Sequence, residues 1–340
     1  MLYFLSDYTE GAHPKLLRRL EETNLSSQPG YGEDAYCAAA ADRIRAACEL
    51  PEADVRFVVG GTQANLLVIS ALLRRWEAVL AADSGHIAVH EAGAVEYTGH
   101  KVITLPARDG LLDAGTLDAW CRGFYADANH EHMPFPGMVY LSQPSELGTL
   151  YSAAALGEIR EVCLRYDLKL FIDGARLGYA LASPENDLSL SELARLCDAF
   201  YIGGTKLGAL CGEALVFPQG APPHFTTMVK QQGALLAKGR LLGVQFEALF
   251  TDGLYEQIGR HAVELALRLK SAFREKGYPL LLDSPTNQQF VILTPEQYER
   301  LSAQAAFHIW EALPDGRLAV RFVTSWATRP EDADRLIALL

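Results

Sequence analysis

Three short stretches hold the residue types from which chemistry can be built. GGTQANLL (60–67) sets two glycines between an apolar run and a helical pattern. Glycines there let the backbone approach a ligand closely, and a helix N-terminus offers unpaired N–H groups and partial positive charge, a combination that binds phosphate. The same stretch also reads as a tight turn with Thr62 as the helix cap. It has neither the G-K-[ST] of a nucleotide phosphate loop nor the G-x-G-x-x-G of a dinucleotide fold. LKLFIDGARLGYA (168–180) ends an apolar strand on Asp173, with Arg176 three residues on. Ligands of open α/β sheets lie outside the carboxyl ends of the strands; a capping aspartate with a solvated arginine is the competing reading. YIGGTKLGA (201–209) places Lys206 among glycines after the next apolar run. Desolvation there disfavours the ammonium and leaves a nucleophilic amine. An anion cradle, an acid for a pyridinium nitrogen and a lysine able to form an imine are together the requirements of pyridoxal 5'-phosphate.

The surrounding pattern supplies the elements that must position these residues. VRFVV, HIAV (86–89), KVITLP, MVYLSQ, LKLFID, AFYIGG and EALVFP read as continuous apolar strands. TQANLLVISALLRRWEAVL, AALGEIREVCLRYD and SLSELARLCD read as helices between them. Continuous rather than alternating strands imply a sheet covered on both faces, hence a mainly parallel α/β layer. After about residue 245 the pattern changes to one long amphipathic helix closed by Gly277, short strands YPLLLD and QQFVIL, a helix, and a hairpin turning at Pro314-Asp315-Gly316. The expected division is a large cofactor-binding domain over 15–245 and a smaller α+β domain over 246–340, with segment 1–14 contributing to the site.

Composition narrows the partners. The chain carries 30 Lys+Arg against 42 Asp+Glu, a net charge of −12, which argues against general binding to nucleic acid or anionic membrane. No apolar run reaches 18 residues and the first residues lack a basic signal-peptide region, so a soluble cytoplasmic protein is expected. Cys37, Cys48, Cys163 and Cys197 fall in helical patterns as small hydrophobes, and the scattered thiols suggest no disulfide framework. His130 and His132, in NHEHMP, have no third ligand nearby and read as surface, so no metal is expected.

Taken in order with SDYTEGAHPKLL, GYGED, GHIAVHEAGAVEYTGHKV, DGARLGYAL, GGTKLGALCGEALVF and RFVTSWAT, these stretches resemble the low-specificity L-threonine aldolases. Those belong to the β-eliminating lyase group of the aspartate-aminotransferase-like (fold type I) pyridoxal phosphate enzymes. The resemblance covers nearly the whole chain. It implies that Lys206 carries the cofactor, that Asp173 pairs with its ring nitrogen, and that Gly61 and Thr62, with Thr205, hold its phosphate. It implies further that His86 stacks on the ring, with Glu91 in the same segment, and that Arg176 and Arg321, with Ser6, hold the substrate carboxylate. Tyr31 and Lys230 match residues that reach a neighbouring subunit's cofactor, which implies a homodimer or homotetramer with shared sites and a small amino-acid substrate.

One departure bears on the reaction. Better-known members carry a second histidine near LSQPSELG, where Ser145 stands here, and His90 stands where they often carry an aromatic residue. The proton acceptor for the substrate hydroxyl is therefore His86, His90 or a water held by them. The reaction expected is retro-aldol cleavage of L-threonine or L-allo-threonine to glycine and an aldehyde. The alternatives are another fold type I activity (amino-acid lyase, racemase or aminotransferase) or a non-catalytic α/β protein that binds a phosphorylated ligand.

Overall fold

Alternate side chains along the central strands go to opposite faces, and both faces are buried. In a computed structural model, which describes residues 1–340, Leu80, Val139, Leu170, Ile172 and Phe200 belong to one apolar cluster. Their neighbours Val79, Ala81, Met138, Phe171 and Tyr201 belong to another on the opposite side. That arrangement is what continuous apolar strands require. The seven strands run, edge to edge, Asp54–Val58, Glu213–Phe217, Ala199–Gly203, Lys169–Asp173, Phe135–Ser142, Glu77–Ala82 and Val102–Leu105. Neighbours pair in parallel except at Glu213–Phe217, which is antiparallel to both of its partners.

Several local expectations are corrected. HIAV is not a strand but a single helical turn, His86–Val89, closed by the His90 amide on the His86 carbonyl. Only Ile87 of the turn is buried, and an apolar run of four does not by itself distinguish strand from helix. The helix after the glycine pair stops at Leu72, and Leu73 takes an extended conformation. EAVLAA then forms the strand Glu77–Ala82, where the sheet supplies partners on both sides. That helix is capped by Gly60 rather than Thr62, which falls in its first turn. YPLLLD contributes only an isolated bridge between Leu280 and Val291.

The C-terminal lobe is a three-stranded antiparallel sheet, His308–Ala312, Leu318–Val323 and Gln288–Leu293, with its own apolar cluster. The N-terminus belongs to this cluster: Leu2–Tyr3 pairs in parallel with Ala305–Ala306, and Phe4 is fully buried. The division expected at residue 245 falls inside the helix Arg240–Leu249, whose Phe246 and Leu249 pack in the large core. The change of partner comes later, within the helix Leu254–Glu275. Its first half packs on the large core and Leu265, Leu269 and Phe273 on the small one.

Two glycines let the central strand ends close on one another. A Cβ on Gly174 would collide with the Tyr201 carbonyl oxygen, and one on Gly203 with the Ala175 carbonyl, both rigid main-chain atoms. Gly174→Ala is expected to cost about 1–3 kcal/mol by overpacking, measured as a lowered urea midpoint with an unchanged slope.

Candidate active site

All parallel strands end at one edge, and the reversed strand begins there with Glu213 opposite both Gly203 and Val58. The edge opens on a cavity of about 280 Å³ lined by Gly61, Thr62, His86, Asp173, Arg176 and Lys206, among others. Thus six of the residues singled out from sequence are brought together. Thr205 joins them, and the amides of Gly61, Thr62 and Gln63 make no main-chain hydrogen bond, as the first turn of a helix dictates.

Asp173 ends the strand Lys169–Asp173 and is buried. Its Oδ1 accepts from the Ala175 amide (2.9 Å) and the Tyr201 hydroxyl (2.5 Å). Its Oδ2 accepts from the Tyr140 hydroxyl (2.5 Å) and Asn65 Nδ2 (3.1 Å). Burial alone would push this carboxyl up, but the His86 charge and the two tyrosine hydroxyls outweigh it and hold it below the usual carboxylate range. No lysine or arginine pairs with it. Asn65 also donates to Glu91 Oε1 (2.7 Å), and the same oxygen meets His86 Nδ1 at 2.7 Å. A carboxylate opposite Nδ1 makes that nitrogen the N–H and leaves Nε2 free. Burial lowers the His86 pKa, but Glu91 and Asp173 raise it more.

Lys206 follows Gly203 and Gly204 in a 3-10 turn, Thr205–Leu207, with its own carbonyl accepting from the Tyr179 hydroxyl (2.5 Å). Its ammonium has no carboxylate partner. Burial and the nearby Arg176 hold its pKa below the ordinary lysine value, against the pull of Asp7, Asp173 and Glu213. The Thr205 hydroxyl is turned away from the expected phosphate role: it donates to Glu213 Oε1 (2.9 Å) and accepts from the Gly212 amide (3.1 Å). Glu213, fully enclosed, is pushed up to about 8 by burial despite Thr205 and Lys206.

The two expected carboxylate-binding arginines differ. Arg176 is already gripped in two places by Asp7, Nε to Oδ2 at 2.7 Å and Nη2 to Oδ1 at 3.0 Å. Arg321 lies over the Trp310 ring at 5.4 Å, gives one Nη1 bond to Gln288 Oε1 (3.1 Å), and leaves Nε buried without a partner. Ser6 Oγ is likewise buried and unpartnered. His90 is exposed, 5.7 Å from the His86 ring and outside the cavity lining. Tyr31 and Lys230 lie together on the surface, the ammonium 4.9 Å from the ring centre, and not at this cavity. His130 packs against Phe124 and Phe135 with Nδ1 on the Asp127 carbonyl, and His132 is exposed. Ser145 turns into its own loop, with Oγ bonded to Thr149 Oγ1 at 2.5 Å.

Sequence reasoning passed over Asp7, Asn65, Tyr140, Tyr201, Glu146 and Glu213. Asp7 and Glu146 were legible as carboxyls beside Ser6 and Ser145; the others need the sheet to bring them in.

A buried ionised carboxylate with no salt-bridged cation, and a buried amine with no salt-bridged anion, are each incomplete alone. A group presenting a cationic N–H to Asp173, a carbonyl to Lys206 and an anion to the Gly61–Gln63 amides would complete both, and pyridoxal phosphate has these parts. The tyrosine hydroxyls on Asp173 are rotors and can yield to a cationic N–H.

Asp7 ties the N-terminal segment to this edge, with Asn287 Nδ2 as its third donor (2.9 Å). Burial raises its carboxyl, but Arg176 and Lys206 outweigh this and hold it below the usual range. Its contribution to stability is therefore complete above the ordinary carboxylate pKa and lost as pH falls through the lower folded value. Asp7→Asn is expected to cost about 3–5 kcal/mol near neutral pH by stranding the buried Arg176 charge. In urea titrations at a series of pH values, the variant should lose part of the wild-type dependence at acid pH.

Comparison with known proteins agrees with this geometry. A solved Leishmania major threonine aldolase structure is 42% identical, covers 100% of this chain and 98% of its own, and superposes with a TM-score of 0.96. A Pseudomonas sp. low specificity L-threonine aldolase is 29% identical over 98% of this chain and 96% of its own length. Thermus thermophilus aspartate aminotransferase, at 15% identity, covers 100% of this chain and 90% of its own with a TM-score of 0.71, which shows the fold type I architecture. The family model described as beta-eliminating lyase matches residues 4–295. The chain belongs to the beta-eliminating lyase family.

Proposed function

We propose that this protein is a pyridoxal 5'-phosphate-dependent aldehyde-lyase. Its substrates are L-threonine, L-allo-threonine and related β-hydroxy-α-amino acids, cleaved to glycine and an aldehyde. The observation that carries the reading is the meeting of Lys206 and Asp173, neither in a salt bridge, with the open helix N-terminus at Gly61 on one sheet edge. The relatives named threonine aldolase support the choice of reaction over the other activities found on the same fold.

In this reading Lys206 holds the cofactor covalently, the Gly61 and Thr62 amides take its phosphate, and Asp173 keeps its ring nitrogen protonated. When bound, the pyridoxal group supplies an electron sink for the bonding pair released at Cα. The residues of the chain do the rest by placement. Arg321, whose Nη2 takes no bond from the protein and is not sealed off, is the donor for the substrate carboxylate, with Ser6 in support. A guanidinium fork suits that task because it fixes a carboxylate in two places. Asp7 neutralises Arg176 and holds it rigid, so Arg176 buttresses the carboxylate site with its remaining Nη1. His86, steered by Glu91, covers one face of the cavity. Fixing the carboxylate sets the orientation of the Cα–Cβ bond, which is how positioning lowers the barrier.

The same reading pairs two copies so that Tyr31 and Lys230 of one reach the site of the other, in a homodimer or homotetramer. Exposed apolar side chains such as Leu25 and Tyr31 support a covered surface. No helix is long and apolar enough to cross a membrane. A cytoplasmic location belongs to this reading too, supported by six free cysteines, since a reducing compartment keeps thiols unpaired.

Protein reconstituted with pyridoxal phosphate is expected to release aldehyde and glycine in equal amounts from L-threonine or L-allo-threonine. Lys206→Ala should lose the absorbance band of the lysine-bound cofactor, and its aldehyde release should fall to background. Keto-acid formation without aldehyde would favour an aminotransferase, and a protein taking up no cofactor would favour a plain phospholigand binder.

A further inference from the structure

The remaining question at this site is which group receives the proton of the substrate's β-hydroxyl, a question that rests on the functional reading above. Two of the candidates from sequence, His86 and His90, fit poorly, and so does Ser145, which stands where a second histidine would be expected. The Ser145 hydroxyl is committed to Thr149 and to the amides of its own loop. His90 is exposed and stands outside the cavity. Glu91 and Asp173 favour the protonated form of His86, in which Nε2 already carries a proton and has no lone pair to accept another.

The next residue in the chain is different. Glu146 lines the cavity. Its Oε1 is fixed by two donors, the His86 amide (2.8 Å) and the Ser142 hydroxyl (2.7 Å). Its Oε2 takes no bond from the protein and is not among the sealed-off polar atoms, so it is open to the cavity. The Glu146 carbonyl accepts from Gln288 Nε2 (3.4 Å), and Gln288 Oε1 accepts from Arg321 Nη1 (3.1 Å). One side chain thus links Glu146 to the arginine that receives the substrate carboxylate. Two donors on one oxygen hold the carboxyl in a single rotamer, so its other oxygen is aimed before substrate arrives. Burial, with help from the Asp173 charge, raises its affinity for a proton above that of an ordinary glutamate, toward the range where a base works best. The titratable groups around it are His86, Asp173, Tyr140 and Tyr151, with Lys206 and Arg176 across the cavity.

We propose that Glu146 is a catalytic residue, whose cavity-facing Oε2 accepts the proton of the substrate's β-hydroxyl. The O–H bonding pair becomes the second C–O bond of the aldehyde as the Cα–Cβ bond breaks. The Cα–Cβ pair stays with Cα, which takes up one proton to give glycine, so no oxidant or further reactant is needed.

The test compares wild-type holoenzyme with Glu146→Gln, which keeps an acceptor oxygen for His86 and Ser142, and with Glu146→Asp, which keeps the carboxyl. Glu146→Gln is expected to lower kcat for threonine cleavage by about 10²–10⁴-fold, the usual contribution of a positioned base. Its affinity for glycine, which has no hydroxyl, should stay within about twofold of wild type by calorimetry. Because the base must be ionised, wild-type kcat/KM should fall as pH drops through the raised glutamate pKa; the aspartate variant should keep that limb and part of the rate. Difference infrared spectra across the same pH range should show a protonated-carboxyl band in wild type that Glu146→Gln lacks. Wild-type cleavage with an undiminished Glu146→Gln rate would overturn the proposal alone. Equal losses of glycine affinity and of rate would do the same, making Glu146 a positioning residue for His86. A wild-type holoenzyme releasing no aldehyde would overturn the functional reading with it.

Discussion

The structure of the site depends on keeping one carboxylate ionised in the interior. Asp173 makes no salt bridge, and burial opposes its charge, which the nearby His86 charge favours. Four donors from four parts of the chain hold it: Tyr140 and Tyr201 from flanking strands, Asn65 from the helix after Gly60, and the Ala175 amide from its own turn. Short hydrogen bonds to an anion are the strong kind, and several converging on one carboxylate can keep it ionised in a low dielectric. The strands must therefore end in register, which is why Gly174 and Gly203 have no room for a side chain.

Two arms of polar side chains leave that carboxylate. One runs through Asn65 and Glu91 to His86. The other passes Tyr140 to Ser142, whose oxygen lies 3.3 Å from the tyrosine hydroxyl and whose single proton goes to Glu146 Oε1, which also accepts from the His86 amide. The two arms meet at His86 and frame the cavity opposite Lys206. The small lobe enters from the other side: Asp7 clamps Arg176, while Asn287 and Gln288 hold Asp7 and Arg321 in turn. Both lobes thus supply charged groups to one cavity, and the N-terminal segment that packs in the small core is anchored at the large one.

Much of this was legible in sequence because the needed groups sit at strand ends, where an apolar run followed by Asp173 or by Gly-Gly-Thr-Lys stands out. The mainly parallel layer followed from strands without alternation. HIAV and EAVLAA were misassigned because runs of four to six apolar residues fit either period, and sheet neighbours decide between them. The resemblance points Thr205 toward the phosphate, but its hydroxyl has an acceptor in Glu213, a residue brought alongside only by the antiparallel pairing of its strand. Arg176 and Arg321 look alike in a sequence; only the fold shows that one is spent on Asp7 and the other is left with a free Nε.

The most direct measurement of the central claim is peptide mapping by mass spectrometry after borohydride reduction of protein loaded with pyridoxal phosphate. A buried amine whose ammonium form is disfavoured, at the same cavity as an ionised Asp173, predicts one reduced adduct, on the peptide containing Lys206, formed at a stoichiometry of one per chain. An adduct spread over surface lysines such as Lys230, or no adduct at all, would contradict the account.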